Sequence, residues 1–374
     1  MKTVIRHKKT WQTIALLICF HAMAFASPVN NTPDYYYQSA LLQKQILRFT
    51  EIDQNGGWQK LVLNKKQYKE SDSAPFVKQL KRRLQITGQL QGIDSSGLYT
   101  PELASAVKRI QRQFGFKENG VTDALVVAAL NVPVKERIRQ LQINLQRSQS
   151  LPSDAQGRRI IVNIPEYKMH IYEGNQHVME INVVVGSEKN QTAIFNDELT
   201  HVVFSPYWNV PQSIVQNEIL PAVRKNRRYL ANHGYEQTGT ENGLPVIRQK
   251  PGKNNSLGLV KFLFPNEHAI YFHDSPAKTL FSHRVRAYSH GCVRVAEPVR
   301  LAEYLLSNDP NWDAFKIDEA MNAGKEKWVK LNEVVPVSII YLTAWVDDAG
   351  MVNFRDDIYE MDKSIAIAST EKAA

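Results

Sequence analysis

Two hydrophobic rhythms divide this chain. Between residues 74 and 131, apolar side chains recur every three or four positions: Val77, Leu80 and Leu84, then Leu103, Val107, Ile110 and Phe114. That period gathers them on one face of a helix. Thr100-Pro101-Glu102 supplies a capping hydroxyl and a first-turn proline. Asn119-Gly120 forms a turn before a third helix, Asp123 to Leu130. The expected outcome is a small three-helix module. Val134 to Gln146 continues as a connecting helix, and Ser148 to Gly157 reads as a polar linker.

From Arg158 the period shortens to two. Ile160 to Pro165 is a buried-looking strand, Lys168 to Glu173 alternates, Gly174-Asn175 turns, and His177 to Val185 alternates again. Further strands are expected at 201–204, 260–264, 269–273, 335–345 and 354–359. Pro206 to Pro211 interrupts this pattern, and Ser213 to Lys225 reads as a helix despite Pro221. Residues 226–258, rich in Asn, Gly, Lys and Arg, predict a mobile insertion. Glu297 to Leu306 is a further helix. The fold class is α+β and multidomain, a small helical domain followed by a mainly β domain that carries the insertion.

The first 26 residues change the picture of where the chain works. Lys2, Arg6, Lys8 and Lys9 precede a mostly apolar stretch, and Ala24-Phe25-Ala26 fits a small-x-small cleavage site. The stretch is short for a membrane span. Export with cleavage before Ser27 is expected, leaving no stable span. Residues 27–70 are polar and uneven, a linker or scaffold partly packed through Tyr35, Tyr36, Tyr37, Phe49 and Trp58. The net charge of +9 becomes +5 without the export segment, which holds four Lys/Arg and no Asp/Glu. That permits attraction to an anionic wall polymer and, with no basic stripe, gives no support to nucleic-acid binding.

Export also gives the cysteines their meaning. Cys19 leaves with the export segment, so Cys292 alone remains, in Tyr288-Ser289-His290-Gly291-Cys292-Val293-Arg294. Exported proteins normally pair their cysteines, so a lone thiol points to chemistry. His273 ends an expected strand nineteen positions earlier, and Asp274-Ser275-Pro276 bends the chain after it. Two neighbouring strands could bring this imidazole to the sulfur as its base. Gly291 would let substrate approach the backbone, with the Gly291 and Cys292 amides as candidate oxyanion donors. His170, His177, His201, His233 and His283 read as structural, and the absence of CxxC or HxxxH spacing argues against a metal site.

The segment IYFHDSPAKTLFSHRVRAYSHGCVRV resembles the signature of L,D-transpeptidases of the YkuD type, and the likeness extends through 158–300. Residues 74–131 resemble the three-helix peptidoglycan-binding domain of wall enzymes. The order of parts is similar to that of the large periplasmic YcbB-like subgroup. The resemblance implies domains at 1–26 (signal), 27–73 (scaffold or linker), 74–131 (peptidoglycan-binding-like), 132–157 (connecting helix and linker), 158–317 (catalytic, with an insertion at about 226–258) and 318–374 (C-terminal extension). It implies that Cys292 attacks the diaminopimelate carbonyl of a tetrapeptide stem and expels D-alanine. A second stem's side-chain amine then resolves the thioester. Catalysis would fall to Cys292 and His273. Gly291, His290, Ser289 and Tyr271 would shape the pocket, with Arg294 and Trp208 binding substrate. No metal or organic cofactor is implied, and carbapenems are the expected inhibitors. The partners would be stem peptides and glycan strands, and possible further ones are an outer-membrane lipoprotein or other wall-synthesis proteins, in the periplasm of a Gram-negative bacterium.

Other readings stay open. Water in place of the amine would make a carboxypeptidase or a lipoprotein-releasing amidase, and a lysine acceptor would make a lipoprotein-attaching enzyme. An inert catalytic domain would leave a wall-binding scaffold. A papain-type peptidase is disfavoured because its cysteine precedes its histidine.

Overall fold

The computed structural model describes residues 35–92, 94–152 and 156–365. The export segment with Cys19, and residues 153–155 of the linker, lie outside the described residues. From Arg158 onward the chain builds a nine-stranded sheet in the order 287–289, 176–186, 293–295, 272–273, 260–263, 195–204, 327–340, 158–163, 168–173. The last of these pairs back with 176–186, so the hydrogen-bonded pairing closes into a ring. Closure removes strand edges and encloses one core, which includes Ile160, Val162, Val183, Val202, Phe262, Phe272, Val293, Val337 and Ile339. The helices Pro298–Leu306 and Ala314–Asn322 contribute Leu301, Leu305 and Ile317 to it. Lys327–Ile340, beyond the helix pair, lies inside the sheet, antiparallel to Phe195–Phe204 and parallel to Arg158–Asn163.

The expected three-helix module is present as Pro75–Ile86, Pro101–Gln113 and Ala124–Leu130. Thr100 caps the second helix by accepting from Leu103 N–H at 3.3 Å, and Asp123 caps the third through Val126 N–H at 3.0 Å. Val77, Leu80, Leu84, Leu103, Val107 and Ile110 form its core, as their spacing predicts. The residues expected as a linker or partly packed scaffold contain a seventeen-residue helix, Gln38–Gln54, packed along Val134–Gln149. Its polar texture hides it, because its buried face includes Gln38 and Gln45 alongside Leu42 and Phe49. Gln38 pairs both ways with the Val346 backbone, at 2.7 and 3.1 Å, so a polar side chain serves the interior there.

The insertion is folded. It begins before the expected 226–258: Trp208–Asn209 joins Leu244–Gln249 and Tyr235–Glu241 in a small antiparallel sheet. Helical turns over 212–225 cover it, with a core that includes Val210, Ile214, Val215, Ile219 and Ile247. Its hairpin turns at Asn242-Gly243, both at positive φ (+49° and +77°), the pairing a two-residue turn demands. Asn255 donates to Pro206 O at 3.1 Å, tying the insertion's exit to its entry.

Candidate active site

The Phe272–His273 and Val293–Val295 strands run parallel, with Phe272 opposite Val293 and His273 opposite Arg294. Phe272, Val293 and Val295 point into the core. Alternation along a strand therefore sends Tyr271, His273, Cys292 and Arg294 to the opposite face. Val293 N–H donates to Tyr271 O at 3.2 Å, which fixes this register just before the cysteine.

His273 is buried, 5% exposed, and its Nδ1 donates to the Asp274 carbonyl. A carbonyl only accepts, so the ring proton sits on Nδ1 and Nε2 is left as the acceptor. Burial first, and then the Arg294 charge, push the imidazole pKa down to about 4, against the pull of the Asp274 and Leu257 carbonyls. Burial pushes the Cys292 thiol up, opposed by hydrogen bonding from Tyr271 and by the charge of Arg294. Sγ lies 3.7 Å from the Ala269 carbonyl, which receives the thiol hydrogen here. The Tyr271 hydroxyl interacts with both Cys292 and Trp208. Among the described residues Arg294 has no carboxylate partner, and its buried Nε has no hydrogen bond.

The turn before the nucleophile is held from below. Ser289 Oγ donates to the Cys292 carbonyl and accepts from Gly291 N–H at 3.2 Å. The Gly291 amide is therefore engaged, and of the two candidate oxyanion donors it is the Cys292 N–H that remains open. Gly291 has φ +113°, and an added Cβ would meet only ordinary contact, so backbone conformation rather than space requires glycine. Thr192 Oγ1 donates to Gly291 O at 2.8 Å and accepts from Gly186 N–H at 2.8 Å. The Tyr359 hydroxyl accepts from Thr192 N–H at 3.2 Å and donates to Gly186 O at 2.7 Å. No spacing rule reaches Thr192 or Tyr359, which lie 99 residues before Gly291 and 167 residues after Thr192.

His290 is exposed and turned away from this face. Its Nε2 lies 2.8 Å from Glu218 Oε1, on the insertion's π-helical turn Val215–Ile219. The pair links the loop before Cys292 to the insertion. Among the histidines read as structural, His170 is buried against Glu166 at 3.0 Å and meets His177 at 3.0 Å. Among the described residues, no group of three or more His, Cys, Asp or Glu is arranged to hold a metal ion. No helix among them is long and apolar enough to cross a membrane.

Residues 157–317 match the family described as "L,D-transpeptidase catalytic domain" (YkuD), and residues 73–130 match "Putative peptidoglycan binding domain". A Haemophilus influenzae protein described as "Putative L,D-transpeptidase" is 31% identical over 246 residues, covering 62% of this chain. The chain spans 49% of that relative's length. Solved L,D-transpeptidases from Xylanimonas cellulosilytica and Stackebrandtia nassauensis are each 14% identical, with TM-scores of 0.25 and 0.27. Those structures cover 74% and 73% of this chain, and 99% and 97% of their own chains are matched. The sequence matches thus liken residues 157–317 to YkuD-type L,D-transpeptidase catalytic domains, and residues 73–130, before them, to peptidoglycan-binding domains.

Proposed function

We propose that this chain is a peptidoglycan L,D-transpeptidase working through Cys292. The observation that carries the reading is the parallel pairing of 272–273 with 293–295, which puts His273 and Cys292 on one face of adjacent strands. For His273 to serve as base, the thiol must turn from Ala269 so that its proton points to Nε2. Sulfur attacks the carbonyl joining the stem's diamino acid to D-alanine as Nε2 takes the proton. The developing oxyanion is received by the Cys292 N–H and the Tyr271 hydroxyl. The C–N bond breaks, the imidazolium returns its proton to the departing D-alanine amine, and a thioester remains. The side-chain amine of a second stem attacks the thioester and loses a proton to His273. The C–S bond breaks as the new amide forms, and the proton passes back to the departing sulfur.

Arg294, lacking an internal carboxylate, fits a substrate carboxylate bidentately. Ser289 holds the turn, Trp208 orients Tyr271, and His290 ties the loop to the insertion. The 73–130 domain supports binding to the wall polymer. The export-type leader supports action outside the cytoplasm, in a Gram-negative periplasm, with the wall as partner.

Mass spectrometry of muropeptides after incubating the protein with sacculi tests this directly. The expected products are stems joined between two diamino acids, with free D-alanine. Cys292→Ala should yield neither. Products containing water or a lipoprotein lysine in place of the amine would assign a different acceptor, and cross-linking by the Ala variant would remove Cys292 from the reaction.

A further inference from the structure

Asp274 follows the base and is 6% exposed, with a carboxylate facing protein on every side. Oδ2 accepts from Leu259 N–H at 2.9 Å. Oδ1 accepts from Ser275 N–H at 2.7 Å and from the Lys278 ammonium at 2.5 Å. Gly258 lies flat against the same group: a Cβ there would stand 2.2 Å from Oδ2, and its φ of +64° belongs to glycine in any case. The carboxylate thus clamps residues 258–259, where the insertion rejoins the sheet, onto the strand that carries His273.

Two carbonyls act on the His273 imidazole. One is that of Asp274 itself and the other that of Leu257, immediately before the clamped glycine. A carbonyl holds an imidazole proton in place only if its own peptide plane is fixed. The Asp274 peptide is fixed on one side by its N–H donating to Val260 O at 2.9 Å and on the other by the Ser275 N–H bonded to its own side chain. The peptide plane of the Leu257 carbonyl is fixed by its own Gly258 N–H, which donates to Asn255 O at 2.8 Å, with the clamp on Leu259 N–H following directly after it.

We propose that Asp274 is a positioning residue for the reaction: its carboxylate locks the insertion's exit and the base strand together, and so keeps the His273 proton on Nδ1 with Nε2 free. This rests on the reading of His273 as base for Cys292. It gives the insertion a part in catalysis beyond covering the site, since its C-terminal neck is bound through Leu259 N–H to the residue whose carbonyl holds the imidazole proton.

Asp274→Asn is the primary variant, because it keeps shape and one accepting oxygen while removing the charge and setting an amide N–H₂ against Leu259 N–H or Lys278. Nitrogen-15 NMR of the His273 ring in the full chain reads the tautomer independently of turnover. Wild type should show protonated Nδ1 and bare Nε2, and Asp274→Asn a mixture of tautomers. Turnover on sacculi should fall about 10–100-fold, the usual effect of removing an outer-shell partner, in kcat with KM unchanged. A folded Asp274→Asn protein with the wild-type ring spectrum and wild-type kcat overturns the proposal. If Asp274→Asn does not fold, Lys278→Met, which strips one partner from the carboxylate at the surface, should shift the tautomer ratio in the same direction, and an unchanged ratio there also overturns it. If wild type itself shows no Cys292-dependent turnover, the function fails while the ring spectra still decide the clamp.

Discussion

At the scale of the residue, the Cys292 thiol and the His273 imidazole rest uncharged, because burial acts on both and favours the neutral form of each. An exposed thiolate–imidazolium pair would be more reactive at rest but also more easily oxidised. The depressed His273 pKa has a consequence for stability. Unfolded, the ring takes a proton near pH 6.5; folded, only near pH 4. Between those values the unfolded chain binds more protons, so stability present above pH 6.5 drains away as pH falls toward 4. His177, held down to about 4 by burial and by His170, adds to the same trend. Denaturant titrations should therefore show His273→Gln losing about 2 kcal/mol less than wild type between pH 7 and about pH 4.5. Equal losses would place the His273 ring in a wetter setting than this one. The residues proposed as nucleophile and base stand out in the sequence because a lone cysteine after an export-type leader and a strand-ending histidine are both unusual. The supports do not. Thr192, Tyr359 and Glu218 are ordinary residues made significant only by strands that meet far from one another in sequence.

At the scale of the element, two short parallel strands do the positioning, and glycines set where chain segments can approach. Gly243 and Gly258 separate two reasons for glycine. Both have positive φ, but nothing lies within 4 Å of a Cβ at Gly243, whereas Gly258 abuts the Asp274 carboxylate. Gly243→Ala should cost about 1 kcal/mol, the backbone effect alone, and leave Cys292 acylation by a carbapenem unchanged. Gly258→Ala should cost more and slow acylation, as stopped-flow measurement would read. Equal effects would mean that φ alone matters at both sites. The Asn242-Gly243 dipeptide flanked by Thr238-Gly239-Thr240 and Leu244-Pro245-Val246-Ile247 is a hairpin signal present in the sequence. The abundance of charged and small residues around it masked that signal, since the insertion packs only a thin core of its own.

At the scale of the whole molecule, the helical domain is docked rather than tethered. Phe114 stacks on Phe354 with centroids 6.0 Å apart, and the Arg137 guanidinium sits 4.2 Å from the Phe354 ring. Arg355 donates to Gln113 O at 2.6 Å. Asn144 exchanges hydrogen bonds with Thr343, both at 2.8 Å. Phe49, Leu42, Val134, Leu141, Val346, Val352 and Phe354 form one shared core. A polar cleft of about 750 Å³ remains between the domains, lined by residues such as Arg112, Phe116, Arg284, Arg286 and Trp345. Removing residues 73–130 would strip Phe114 from that shared core, so a single substitution is the cleaner probe. Phe354→Ala should cost about 3 kcal/mol and loosen the domains, seen as a larger radius in small-angle scattering. Carbapenem acylation of the remaining folded protein should be unchanged while cross-linking of sacculi falls. Unchanged cross-linking with a larger radius would mean that the fixed geometry is not needed. The module's helices and core could be read from their period of three to four, but their docking could not. It depends on Phe354 and Arg355, in a tail whose apolar pattern gives strand character and no partner.

The strand Lys327–Ile340 has one more implication, for the order in which the protein comes into being. It is the last of the nine to leave the ribosome, yet it seats between two of the earliest, Arg158–Asn163 and Phe195–Phe204. Until it arrives, both neighbours present bare backbone along one side, a template for wrong partners. Cys292 is thus synthesised before the sheet around it can shut, and an unfinished chain carries the thiol without its completed scaffold.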